Sequence, residues 1–169
     1  MLSRFVTRLG SLEAFEKGRV EVIDDDPRHY AFSNMFEVAS RSRPWEQVAV
    51  GQNRQYVLEV VRAEGTSGWR TASHDQSALV MDGQVVVELT GLPADQQAPP
   101  DAEGSRAVQG EPRGARMGRV TAGRGHLVLL PAGAAYRMVT PTGVAGVVLV
   151  QTIAGPDTQY RWAEICQTS

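Results

Sequence analysis

The residues best suited to chemistry gather in one stretch, Trp69 to Gly83, which reads WRTASHDQSALVMDG. His74 and Asp75 offer metal donors or an acid–base couple, Trp69 an aromatic face, and Arg70 a fixed cation. His126, at the head of HLVLLP, is a further imidazole. A metal site of His74, His126 and Asp75 is conceivable by residue type. On an extended strand, however, Asp75 and His74 have opposite parity and point to opposite faces. A hydrogen bond inside or at the mouth of the fold is the ordinary role for His74, and an edge position that for His126. Other chemistries have no frame. Asp24, Asp25 and Asp26 are consecutive and lack calcium-loop spacing, so they read as a solvated turn. No Ser-His-Asp order, phosphate loop or CxxC occurs, and the Gly-x-Gly at 123–125 lacks a βαβ setting. The spacing proposes no catalytic carboxylate pair.

The elements that must hold these residues are strands. QYVLEVVRAEG, SALVM, QVVVEL, HLVLLP, AYRMV, VAGVVLVQTI and YRWAEI are rich in β-branched and aromatic residues. Asp82-Gly83 between SALVM and QVVVEL predicts a hairpin. PAGA, TPTG and GPDT supply further turns. About eight strands and one clear helix fit a small β-sandwich or barrel. The helix is expected at SLEAFEKG, with Ser11 as N-cap and Gly18 as stop. RVEVI then predicts a strand, broken by DDDPRHY. Residues 1–50 thus read as an arm and 51–169 as the barrel. Gly91–Gly118 is rich in Pro, Gly and Ala without period, and is expected to be a long, partly flexible loop. Met35, Phe36 and Trp45, in the arm, suit packing on this barrel or on a partner.

The chain has 169 residues, which predicts one domain, and 42% hydrophobic residues provide for a core. A net charge of −2 argues against nucleic-acid and anionic-membrane surfaces, which need a positive field. Lys17 is the one lysine among 17 basic residues. That bias fits genomic base composition, or a choice of Arg for ion pairs at buried interfaces. The lone cysteine, Cys166, permits no internal disulfide and fits a buried thiol in a reducing cytoplasm. The start lacks the apolar stretch of a signal peptide, and the longest apolar run, at 143–150, is too short to span a bilayer.

The stretch around Gly83, together with Gly125, Pro131 and Gly133, resembles the two cupin signatures, G-x5-H-x-H-x3,4-E-x6-G and G-x5-P-x-G-x2-H-x3-N. The resemblance implies an all-β double-stranded β-helix, a jelly-roll barrel, here with an N-terminal arm containing a short helix. The spacing places Arg70 and Ala72 where such barrels carry two histidines, Gln76 at the glutamate and Tyr136 at the last histidine. Positions 70, 72 and 76 share strand parity and are expected to face inward together, with His74. A guanidinium, a methyl, a carboxamide and one phenol do not make the donor set that Fe(II) or Mn(II) needs, so no metal is expected in this chain.

A narrower resemblance covers most of the sequence. NMFEVASRSRPWEQVAVGQNRQYVLEVVRAEGTSGW, HDQSALVMDGQVVVEL, MGRVTAGRGHLVLLPAGAAYRM and RWAEICQ are similar to the small subunit of two-component hydroquinone 1,2-dioxygenases, enzymes of p-nitrophenol and 4-hydroxyacetophenone degradation. That family implies an α2β2 assembly. Its larger subunit carries Fe(II) and opens hydroquinone to 4-hydroxymuconic semialdehyde. This chain would then supply structural support and complete the cleft. Met35, Phe36 and Trp45 become candidates for the partner interface, where aromatics and arginines are enriched. Trp69, reached through the Gly/Ser approach GTSG, becomes the first candidate for a substrate contact, swinging over the partner's cleft as a gate. Two alternatives remain. A stand-alone metal-free cupin would grip an anionic or phenolic ligand with Arg70 and Tyr136. An independent enzyme would use a shifted metal site at His74 and His126.

Overall fold

The computed structural model describes residues 10–16, 23–25 and 34–161. Its elements are α1 (Met35–Ser40), β1 (Gln47–Asn53), β2 (Tyr56–Glu64), β3 (Arg70–Ala72), β4 (Gln76–Asp82), β5 (Gln84–Gly91), β6 (Ser105–Ala107), β7 (Arg116–Gly123), β8 (Leu127–Leu130), β9 (Ala134–Val139) and β10 (Ala145–Ile153). Two five-stranded sheets form, in the orders β1-β2-β10-β4-β8 and β6-β3-β9-β5-β7. Without the edge strands β1 and β6, the orders are 2-10-4-8 and 3-9-5-7. The chain crosses between sheets at most connections, and the first barrel strand lies beside the last. That is the double Greek key of a jelly roll, the cupin double-stranded β-helix.

Alternation puts one face of each sheet into the space between them. Val61, Ala78, Val80, Val85, Val87, Val128, Met138, Val148 and Val150 fill it. The outer face of the first sheet carries a second cluster, in which Val38 and Ala39 of α1 cover Val48, Val50, Val60 and Val147, and Leu12, Met35 and Phe36 pack at its margin. Asn34 starts α1 as its N-cap, its side-chain oxygen accepting from the N–H groups of Phe36 and Glu37 at 3.0 and 3.2 Å.

Several elements depart from the sequence expectation. No helix forms over the described residues 10–16. Ser11 and Ala14 exchange backbone hydrogen bonds in a tight turn, and Gly18 lies outside the described residues. The strand expected from Arg19 leaves only Ile23 described, exposed in a bend, and Asp24 and Asp25 follow it in the same bend. Asp82-Gly83 is not a hairpin. β4 pairs with β10 and β8, whereas β5 pairs with β7 and β9. Gly83 has the positive φ of 71° that the dipeptide foretold, but it turns a corner from one sheet to the other. The segment 91–118 contains β6 and the start of β7, and Gln96 and Gln97 bond across it to Leu92, Gln109, Glu111 and Arg113. Tyr160 and Arg161 are not strand, and the rest of YRWAEI lies outside the described residues. The 50/51 boundary falls inside β1, which pairs with β2 along its length. No helix of the described residues is long and apolar enough to cross a membrane.

Candidate functional site

Consecutive residues on β3 point to opposite sides of the second sheet, and this splits the candidate residues into an interior group and an outer group. Arg70 points inward, directly opposite Tyr136 of β9. Its Nε donates to Ser105 Oγ at 3.0 Å, and its Nη2 donates to the Ser105 carbonyl at 2.8 Å and to Asp157 Oδ2 at 2.6 Å. Ser105 Oγ also accepts from Gln47 Nε2 at 2.9 Å, and the same amide donates to Glu59 Oε2 at 3.1 Å. Thr158 Oγ1 donates to Glu59 Oε1 at 2.5 Å. The network joins β1, β2, β3, β6 and the segment after β10 inside one end of the barrel.

Its electrostatics follow from burial. Glu59 is 2% exposed, and desolvation raises its carboxyl pKa above the ordinary 4.5, although the Thr158 hydroxyl and the Arg70 charge oppose the rise. Tyr136 is buried, which pushes its phenol upward against the pull of Arg70 and Ser105. Glu59 is the functional-looking residue that sequence reasoning missed. Its signal was available: in YVLEVVRAE it shares the parity of Val57 and Val61, both core positions.

The four cupin ligand positions therefore hold groups already engaged with each other or packed. Ala72 is buried, and Gln76 begins β4, where its Nε2 donates to Thr152 Oγ1 at 2.6 Å. Positions 70, 72 and 76 do not share a strand. β3 ends at Ala72, and Gln76 belongs to the facing sheet, so these positions meet inside because the two sheets face one another. His74, in the intervening bend, bonds through Nε2 to Thr152 Oγ1 at 2.9 Å and accepts from the Ile153 N–H at 3.2 Å. Desolvation lowers its pKa from 6.5 against the pull of Asp75. His74 Nδ1 and Gln76 Oε1 are buried without a hydrogen-bond partner among the described residues.

His126 is exposed at the opposite end of β4, where its ring lies against Gly123 and its carbonyl accepts from Val80 N–H. Val80 stands four residues along the strand from Gln76, roughly 13 Å away. Asp75 accepts from Ala132 N–H at 2.8 Å. His74, His126 and Asp75 are thus not brought together, and no group of three or more His, Cys, Asp or Glu able to hold a metal occurs among the described residues. The donor set at the cupin positions does not fit iron.

Trp69 lies on the outer face. Its Nε1–H donates to Glu111 Oε2 at 3.1 Å, and the Arg137 guanidinium sits 4.6 Å from the ring centroid. Arg137 Nε donates in turn to Glu88 Oε2 at 2.5 Å. The approach GTSG is also tied down. Ser67 Oγ accepts from Met138 N–H, and Thr140 Oγ1 accepts from Gly65 N–H. Trp69 is thus held in this position by one hydrogen bond and one cation–π contact. It borders a cavity of about 360 Å³, lined also by Glu88, Arg116, Arg119 and Arg137. Met35 and Phe36 lie against the outer core cluster and Trp45 against the inter-sheet core. Trp45 holds a left-handed backbone, φ 64°, with its N–H bonded to the Arg62 carbonyl at 2.9 Å.

No protein-family model matches the sequence, and no curated protein matches it. Two solved structures match almost end to end. A chain of hydroquinone 1,2-dioxygenase PnpCD, in complex with Cd2+ and 4-hydroxybenzonitrile, is 48% identical over 99% of this chain and 100% of its own, with a TM-score of 0.88. A chain of hydroquinone 1,2-dioxygenase from Sphingomonas sp. TTNP3, with 4-hydroxybenzoate bound, is 49% identical over 98% and 99%, with a TM-score of 0.89. A chain of PnpCD in complex with Fe3+ shares the fold alone, at 13% identity and a TM-score of 0.58, over 88% of this chain but 41% of its own.

Proposed function

The chain belongs to the hydroquinone 1,2-dioxygenase family, and from that premise we propose that it is the small, metal-free subunit of such an enzyme. The iron would sit in a longer subunit that shares the jelly roll over part of its length, as the longer PnpCD chain does. The reaction would be cleavage of hydroquinone by O2 to 4-hydroxymuconic semialdehyde, in the cytoplasmic breakdown of p-nitrophenol-type aromatics by an α2β2 assembly. The relatives are named with para-substituted phenols bound, 4-hydroxybenzonitrile and 4-hydroxybenzoate, which fits a site for hydroquinone.

The observation that carries the reading is the interior of the barrel. Arg70 stands at a cupin ligand position and is hydrogen-bonded to Ser105 and Asp157, so the positions that would grip a metal serve as a structural tie. The same bonds weigh against a stand-alone binder, because Arg70, on which that role would rely, is already engaged. Trp69, outside the barrel, is the residue offered to the substrate cleft. Its Nε1–H and Arg137 fix the ring in one orientation, which costs less on closure than ordering a mobile side chain.

The test is reconstitution. This chain alone, incubated anaerobically with Fe(II) and desalted, should retain essentially no iron. Added to the longer subunit, it should give an active complex in which Trp69→Ala lowers kcat about tenfold or more without loss of assembly. One iron per isolated chain, or unchanged kcat and KM in the Trp69 variant, would contradict the respective half of the reading.

A further inference from the structure

We propose that the edge strand β7, with the adjoining face of β8, is the surface on which the longer subunit docks, through carboxylates that pair with Arg116 and Arg119. The proposal rests on the reading above. β7 ends one sheet and β8 ends the other, and the turn at 124–126 joins them, so the two edges adjoin. Residues 116–121 of β7 are all exposed. Met117 is 56% exposed, Leu127 67% and Leu129 57%, more than any other large apolar group of the described strands. Scattered exposed apolar residues are ordinary, but several on adjoining sheet edges make an interaction surface.

The pairing register breaks here. Leu89 faces Gly118 and Thr90 faces Arg116, leaving Met117 as the extra residue of a bulge. A bulged edge does not template an added strand, so side chains must carry the recognition. Arg116 and Arg119 have no ion pair or hydrogen-bonded partner among the described residues, whereas Arg62, Arg70, Arg113, Arg124 and Arg137 are each paired with a carboxylate. A second copy of this chain is a poor occupant. A two-fold contact through this edge would bring like-charged arginines together. An acidic face on a different chain fits. Arg116, Gly118 and Arg119 also line the cavity bordered by Trp69, so a subunit seated on β7 has Trp69 at its margin.

The experiment measures binding of this full chain to the longer subunit by calorimetry, at low and high salt. Arg116→Glu with Arg119→Glu should raise Kd at least about 100-fold and flatten its salt dependence. Leu127→Ser with Leu129→Ser should raise it about tenfold. Both variants should keep the wild-type melting curve when alone, since the substituted side chains are exposed. Wild-type Kd in both variants would overturn the docking surface and leave the subunit reading intact. No binding by the wild-type chain would overturn both. A wild-type dimer in light scattering that these variants convert to monomer would make the edge a self-contact and overturn the proposal.

Discussion

Glu59 is a buried carboxyl whose titration the fold displaces upward. A carboxyl with a folded-state pKa above its unfolded value binds its proton more tightly folded than unfolded. Its favourable contribution is complete below about pH 4.5 and is lost as pH rises through the folded value. Glu59→Gln cannot ionise, so its melting temperature should fall less than that of the wild type as pH rises above about 4.5. Equal slopes would remove Glu59 from the titrating groups. His74 acts in the other direction. Its pKa is lowered, so its contribution is present above pH 6.5 and is lost as pH falls toward the folded value. Arg70 is the structural centre, and Arg70→Ala should cost about 2 kcal/mol or more in urea unfolding by stranding its partners. The sequence pointed to Arg70, Gln76 and Tyr136 through motif spacing. It did not point to their partners, since Ser105, Asp157 and Thr152 come from distant segments brought close only by the tertiary fold.

At the scale of elements, β-branched runs made β2 and β10 legible and short apolar runs made β8 and β9 so, because strands that build a core must carry such residues whatever their neighbours. β7, RMGRVTAG, left no pattern because its side chains face solvent, and β3 and β6 are too short to show a period. Asp82-Gly83 was legible as a turn but not as to what it joins. Local backbone geometry is encoded locally, whereas sheet membership depends on distant partners. Asp82 secures that corner: its carboxylate accepts from the N–H groups of Leu12 at 2.7 Å and Gly83 at 2.9 Å and pairs with Arg124. A Cβ at Gly83 would lie 3.0 Å from Gly146 Cα, in addition to the cost of positive φ. Gly110 has φ 72° with open space around it. Gly110→Ala should therefore cost about 1 kcal/mol, and Gly83→Ala clearly more. Equal losses in chemical denaturation would show that the corner is not packed as described.

For the whole molecule, the segment after β10 closes the fold. Gln159 pairs in parallel with Val48, Thr158 bonds Glu59, Asp157 pairs with Arg70, and Arg161 reaches Ser42 and Glu46. A chain ending before Pro156 should melt at a markedly lower temperature and lose the pH slope assigned to Glu59. A partner that binds only the folded chain stabilises it by mass action, about 2.7 kcal/mol at a hundred times Kd. For a chain of this size that corresponds to roughly 5–10 °C in Tm. Calorimetric scans with rising longer subunit should show this shift. A Tm independent of its concentration would mean that the two do not assemble.

The ties of Arg70 also bear on engineering. Histidine at this one position would release Ser105 and Asp157 at once, while a single imidazole gathers no iron. Installing a metal in this barrel therefore means rebuilding the closure of its end, and not only exchanging four side chains.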